Sequence, residues 1–171
     1  QRYPAAGGPA ALAFADAASA PGGYMTSNAD NFTLQFPGGS FTNPWFGVYL
    51  TRDDYASSKT MGDVLNGLGD TRLSVFGTNS IMFPYRLTRD LAIAYGNSVG
   101  NGQSRVLAVS KRQQNSPVVV IPSSIVLLAA AEAKERGWIA GGTGAAEADY
   151  NAGVANSFGE WGLSVPGTYL S

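Results

Sequence analysis

The chain has 171 residues, of which 44% are hydrophobic, so the expected size class is one folded domain with its own core. Eleven basic and twelve acidic residues leave a formal charge of −1 and form no basic stripe, which argues against nucleic acid as a partner. Cysteine and histidine are both absent, which excludes disulfides, thiolate nucleophiles and the usual general base of many enzymes.

The first third of the chain predicts short elements separated by turns. An Ala-rich helix is expected from Tyr3 to Ala20, and a short strand where apolar residues alternate within 32–36. A further short helix should be capped by Ser57 or Ser58 and ended by Gly67 or Gly69. The apolar residues of that helix recur every three or four positions: Met61, Val64, Leu65 and Leu68.

The middle of the chain gives weaker signals. Leu73 to Phe76 and Arg105 to Val109 are brief apolar runs that predict strands. Arg86 to Tyr95 is compatible with a helical turn or with a loop that crosses the surface.

The C-terminal third predicts two antiparallel helices in contact, over Ile125 to Arg136 and Ala145 to Trp161. We expect a serine cap at Ser123 or Ser124 for the first helix and a left-handed glycine, Gly137, at its end. This first helix is apolar almost all round, which predicts that it is buried. The apolar stripe of the second helix is Ala146, Tyr150, Val154, Phe158 and Trp161.

These helices also carry a family resemblance. The runs Ala131–Ile139 (AEAKERGWI) and Tyr150–Gly162 (YNAGVANSFGEWG) resemble the paired helical motifs of SusD/RagB-type proteins. Upstream, Gly69–Leu73 is similar to that family's Asp-Pro-Arg-Leu turn, with Thr71 in place of the usual proline. Asn43-Pro44-Trp45 resembles the region before this turn. Because these motifs follow one another in the family's order along the chain, together they make the resemblance more specific than any one of them does alone.

The resemblance implies a mainly α fold, with tetratricopeptide-like helical hairpins, long ordered loops and minor β structure. It implies a non-catalytic lipoprotein of the outer membrane, lipid-anchored at the cell surface, that binds an oligosaccharide or another nutrient for a TonB-dependent transporter and needs no cofactor. Such proteins have several hundred residues, so we expect residues 1–171 to be a single partial domain. An unusually large exposed apolar patch is expected on the hairpin.

The candidate ligand contacts lie in the loop-rich stretch after residue 42. Stacking on a sugar ring needs aromatic faces, and the sugar hydroxyls need amides and carboxylates nearby. This stretch supplies Asn43, Trp45, Tyr49, Asp53 and Tyr55, with Trp45 and Tyr49 as the leading candidates. The alternative interpretation is that these aromatic residues belong to the core.

A second polar cluster, Asn28, Asp30 and Asn31, is compatible with ligand or Ca²⁺ binding, whereas an Asx turn explains it more simply.

Two other functions stay open from the residues alone. One is a structural hairpin scaffold that binds a protein partner. The other is a carbohydrate-active hydrolase, although the spacing of the aspartates fixes no pair of catalytic carboxylates.

Overall fold

The computed structural model describes residues 5–167, 169 and 170. Within them the chain forms seven α-helices and two short strands, so the predicted mainly α class is confirmed, while the tetratricopeptide-like character stays a prediction. The helices are α1 (Pro9–Ser19), α2 (Pro44–Val48), α3 (Lys59–Gly67), α4 (Leu73–Phe76), α5 (Arg89–Ser98), α6 (Ser123–Glu135) and α7 (Gly142–Gly159). The strands are β1 (Phe32–Leu34) and β2 (Val118–Ile121), which pair in one sheet.

The residues group into two compact units. The hairpin unit contains residues 5–33, 119–165 and 170, and the loop unit contains residues 34–118, 166–167 and 169. None of the helices in the described part of the chain has the length and apolar character needed to cross a bilayer.

In the hairpin unit, α6 and α7 pack against each other in antiparallel orientation, as predicted. At one end Lys134 Nζ lies 2.7 Å from Asp149 Oδ2, and at the other Asn156 Nδ2 donates to Ser123 Oγ at 3.0 Å. Gly153 allows the two backbones to approach closely, because a Cβ there would lie 3.2 Å from the carbonyl oxygen of Ser124.

The hairpin buries only one side of each helix. Alanines and larger apolar residues fill the interface, and Phe158 is completely buried. On α6, Ile125 is 62% exposed and Leu128 is 37% exposed, so the expectation that the first helix is buried all round was wrong; on α7, Tyr150 is 51% exposed. A single partner helix covers one stripe and leaves the opposite stripe to solvent. The large exposed apolar patch expected on the hairpin stays a prediction.

The predicted start of α6 was wrong and its predicted end is confirmed. Pro122 occupies the N-cap position, and the hydroxyl of Ser123 bonds to Asn28 Oδ1 at 3.2 Å instead of capping the helix. At the C-terminal end, Gly137 has φ of 67°. The Trp138 N–H donates to the Ala133 carbonyl at 2.8 Å, which with the Gly137 bond to Lys134 forms a Schellman motif.

We expect Gly137→Ala to lower the free energy of unfolding by about 1 kcal/mol, because a Cβ is disfavoured in the left-handed region. Gly144→Ala is the matched control. Gly144 lies inside α7 with open space around its Cβ position, so alanine there should stabilise the protein by about 0.5 kcal/mol. Urea denaturation followed by circular dichroism measures both. Equal effects of the two changes would contradict the left-handed assignment.

The cluster of Asn28, Asp30 and Asn31 forms a capped turn in the hairpin unit. Ser27 and Asp30 form a capping box, whose backbone hydrogen bonds from Thr26 and Ser27 lower the pKa of Asp30. Asn28 Nδ2 donates to the Asn156 carbonyl at 2.9 Å, and Asn31 Oδ1 accepts from the Ser123 N–H at 2.7 Å. These bonds tie the turn to both helices and give the side chains of Asn28 and Asn31 a structural role.

In the loop unit, both strands predicted for the middle of the chain were wrong. Leu73 to Phe76 forms the single-turn helix α4, which continues from the turn at Asp70. Residues 105–109 run beside residues 75–77, and the Ala108 N–H donates to the Val75 carbonyl at 2.7 Å. Leu107 has φ of 63°, which interrupts any continuous strand, so only an isolated bridge forms between Gly77 and Val106.

The turn that resembles the family's Asp-Pro-Arg-Leu motif contains a buried ion pair. Asp70 accepts hydrogen bonds from the backbone N–H of Arg72 at 2.9 Å and from its guanidinium Nε at 3.0 Å. The hydroxyl of Tyr169 donates to the same carboxylate at 3.0 Å. The carboxylate of Asp70 is fully shielded from solvent, and the side chain of Arg72 is 17% exposed.

Candidate functional site

The loop unit contains a cleft of about 520 Å³, within the range of small-ligand sites. Its walls come from three separate stretches of chain, within residues 53–56, 78–83 and 101–105. The side chains that give it chemical character are Asp53, Asp54, Tyr55, Phe83, Gln103 and Arg105.

Backbone hydrogen bonds join the three stretches beneath the cleft. The Ser57 N–H donates to the Ser104 carbonyl at 2.7 Å, and the Phe83 N–H donates to the Ser57 carbonyl at 2.8 Å. The Ser57 hydroxyl lies 3.1 Å from the carbonyls of Phe76 and Arg105. Ser57 and Ser104 are both buried, so a connected network of polar groups joins the stretches of chain that form the cleft.

The charged groups of the cleft are held in ion pairs. Arg105 binds Asp53 with two hydrogen bonds, from Nε to Oδ1 at 2.6 Å and from Nη2 to Oδ2 at 2.8 Å. These bonds raise the pKa of Arg105 further above its usual high value, so the group stays cationic. Asp54 pairs with Arg52 at 2.8 Å.

The cleft also contains uncharged aromatic and amide side chains. Tyr55 is 60% exposed and offers an aromatic face to solvent. The hydroxyl of Tyr55 and the side-chain amides of Asn101 and Gln103 make no hydrogen bond to any residue that the structure describes, and the ends of these two amide side chains lie beside Gly96 of α5. The Phe83 ring is fixed by an edge contact with Tyr95 at 5.2 Å between centroids.

Tyr49 lies behind this cleft and connects two of its walls. Its ring is only 8% exposed. Its hydroxyl donates to the Tyr55 carbonyl at 3.2 Å and accepts from the Val106 N–H at 2.8 Å. The guanidinium carbons of Arg105 and Arg112 lie 5.1 and 4.6 Å from its ring centroid, which are cation–π distances.

The five residues predicted from the sequence as ligand contacts thus occupy different surroundings. Asp53 and Tyr55 line the cleft, whereas Tyr49 is packed behind it. Asn43 is 1% exposed and caps α2, accepting from the Trp45 N–H at 2.7 Å and donating to the Ser116 carbonyl at 2.8 Å. Trp45 is half-buried in α2 and outside the lining of the cleft. Ligand contact by any of the five stays a prediction.

Sequence reasoning missed the wall formed by residues 101–105. The available signal was a polar, glycine-rich run, Gly100 to Ser104, followed by Arg105. That pattern is typical of any turn, so it could not by itself indicate a ligand site.

Over residues 5–171 the chain matches the model of a SusD-like family described as starch-binding and associating with the outer membrane. No curated protein and no solved structure matches the chain. Proteins of this family are non-catalytic binding proteins. Because the match spans almost every residue, the chain belongs to this SusD-like family of carbohydrate-binding proteins that associate with the outer membrane.

Proposed function

We propose that this protein binds an oligosaccharide in the cleft of the loop unit, without catalysis. The observation that carries the proposal is the combination of an exposed aromatic face, Tyr55, with the unbonded amides of Asn101 and Gln103. The family match to starch-binding proteins supports the same class of ligand.

The chemistry of the cleft suits a pyranose ring. One face of such a ring is apolar and stacks on an aromatic side chain, while the hydroxyls on its rim both donate and accept hydrogen bonds. A side-chain amide also offers both a donor and an acceptor. Asn101 and Gln103 can therefore each donate a hydrogen bond to a sugar hydroxyl or accept one from it. The ion-paired Asp53 carboxylate keeps further acceptor capacity for a hydroxyl.

The proposal extends to delivery of the bound sugar. In this view the protein is lipid-anchored at the cell-surface face of the outer membrane and passes the oligosaccharide to a TonB-dependent transporter. The resemblance of the hairpin and Asp-Thr-Arg motifs to SusD/RagB-type proteins supports this part. Copurification of the intact protein with a TonB-dependent barrel from outer membranes tests it, and consistent failure to copurify would count against it.

For the binding step, we expect Tyr55→Ala to weaken oligosaccharide binding by about 1–2 kcal/mol, or roughly 5- to 30-fold in Kd, since the stacking face is lost. Isothermal calorimetry of the intact protein with starch-derived oligosaccharides measures the change. Tyr85→Ala is the matched control, because Tyr85 is 75% exposed and outside the cleft lining. Equal weakening by both variants, or none by Tyr55→Ala, would place the sugar elsewhere.

A further inference from the structure

The polar side chains of the cleft that make no hydrogen bond within the described residues carry no charge, whereas its charged side chains are held in ion pairs. The uncharged groups include the Tyr55 ring and hydroxyl and the side-chain amides of Asn101 and Gln103. A ligand recognised by these groups gains neutral hydrogen bonds and a stacking contact. It needs no charge of its own.

Among the described lining residues, the one cation is already engaged. Arg105 directs two guanidinium nitrogens at Asp53, and its guanidinium carbon lies 5.1 Å from the centroid of the Tyr49 ring. Its backbone N–H also donates to Thr78 Oγ1, at 2.9 Å. A carboxylate entering the cleft would therefore have to displace Asp53 in order to bind this guanidinium through its Nε and Nη2 edge.

The acidic side chains of the cleft are also held in ion pairs. The lining contains the carboxylates of Asp53 and Asp54 against the single guanidinium of Arg105, and Arg52, which pairs with Asp54, is outside the lining. With Arg52 counted, the two carboxylates are balanced by two guanidinium groups, so each of these cations already has an anionic partner when an anionic ligand arrives. A cationic ligand would have to displace an arginine from a carboxylate that is already paired.

We infer that the cleft is selective for electrically neutral glycans and discriminates against acidic glycans such as those built from uronic acids. The inference rests on the proposed function, since it specifies the ligand class of the same cleft. It assigns the Asp53–Arg105 pair the role of excluding sugar carboxylates by keeping the guanidinium occupied.

The first test is calorimetry of the intact protein with hexasaccharides of matched length. The probes are neutral malto-, cello-, xylo- and mannohexaose, acidic hexagalacturonate and cationic chitosan hexamer. We expect at least one neutral probe to bind at least roughly tenfold more tightly than either charged probe. Equal or tighter binding of a charged probe would overturn the inference and leave oligosaccharide binding intact. Binding of no probe at all would overturn the proposed function, and the inference with it.

The second test changes the pair itself. Asp53→Asn keeps the shape of the side chain and releases the guanidinium of Arg105, so hexagalacturonate should bind at least roughly tenfold more tightly than to the wild type. Asp63→Asn is the matched control, because it removes the same charge from an exposed pair with Lys59 on α3, outside the cleft. It should change hexagalacturonate affinity less than twofold. No gain in Asp53→Asn, or the same gain in both variants, would refute the role of the pair.

Discussion

Replacing Arg72 by alanine is expected to lower the free energy of unfolding by about 3–5 kcal/mol, the usual effect of leaving a buried charge without its partner. The carboxylate of Asp70 is fully shielded from solvent and receives its charged hydrogen bonds from Arg72. Arg52→Ala is the control, since Arg52 is 74% exposed and its ion pair with Asp54 should contribute less than about 1 kcal/mol. Urea denaturation at neutral pH measures both, and similar losses would contradict the buried-pair argument.

The same network predicts how stability depends on pH. Burial acts to raise the pKa of Asp70, but the hydrogen bonds from Arg72 and Tyr169 outweigh burial and lower it below the usual 3.8. A carboxyl with a lowered pKa in the folded state contributes stability above its unfolded pKa, and that contribution is lost as the pH falls through the folded value. Wild-type stability should therefore fall on the acid side of pH 3.8, and the acid loss should be smaller in Arg72→Ala.

Phe158→Ala is expected to destabilise the protein by about 3–5 kcal/mol, because it removes a large buried ring and leaves a cavity. Phe158 lies on α7 and is completely buried. Tyr150→Ala on the same helix is the control, because that side chain is 51% exposed and its loss should cost less than about 1 kcal/mol. Thermal unfolding by differential scanning calorimetry gives the comparison. A loss below about 1 kcal/mol for Phe158→Ala would show that the hairpin interface is not where the sequence pattern and the structure place it.

The hairpin could be predicted from the sequence because its signals are local. Apolar residues recur at helical spacing over more than ten positions, and Gly137 marks the turn between the two helices. The short runs at 73–76 and 105–109 could not be assigned correctly, since a few apolar residues do not distinguish a strand from a single helical turn. The deciding features were the capped turn at Asp70 and the left-handed Leu107, and both depend on contacts made in the folded chain.

The candidate site was predictable only in part, for a similar reason. Asp53 and Tyr55 lie in the aromatic, polar stretch that the sequence indicates, and both line the cleft. Their opposite wall carries Arg105, 52 residues later than Asp53, and local spacing cannot reveal such a pairing. Tyr49 and Tyr55 also look equivalent in the sequence, although the fold buries one and exposes the other.

The Tyr49 hydroxyl should reduce the conformational entropy that is lost when a ligand binds. It links the Tyr55 backbone to that of Val106, which holds two sides of the cleft in place. The conformational entropy lost on binding should then come mainly from a few surface rotamers, those of Tyr55, Asn101 and Gln103, and little from the backbone. Tyr49→Phe keeps the ring that the two arginines contact but releases this link, which would transfer part of the ordering cost from folding to binding.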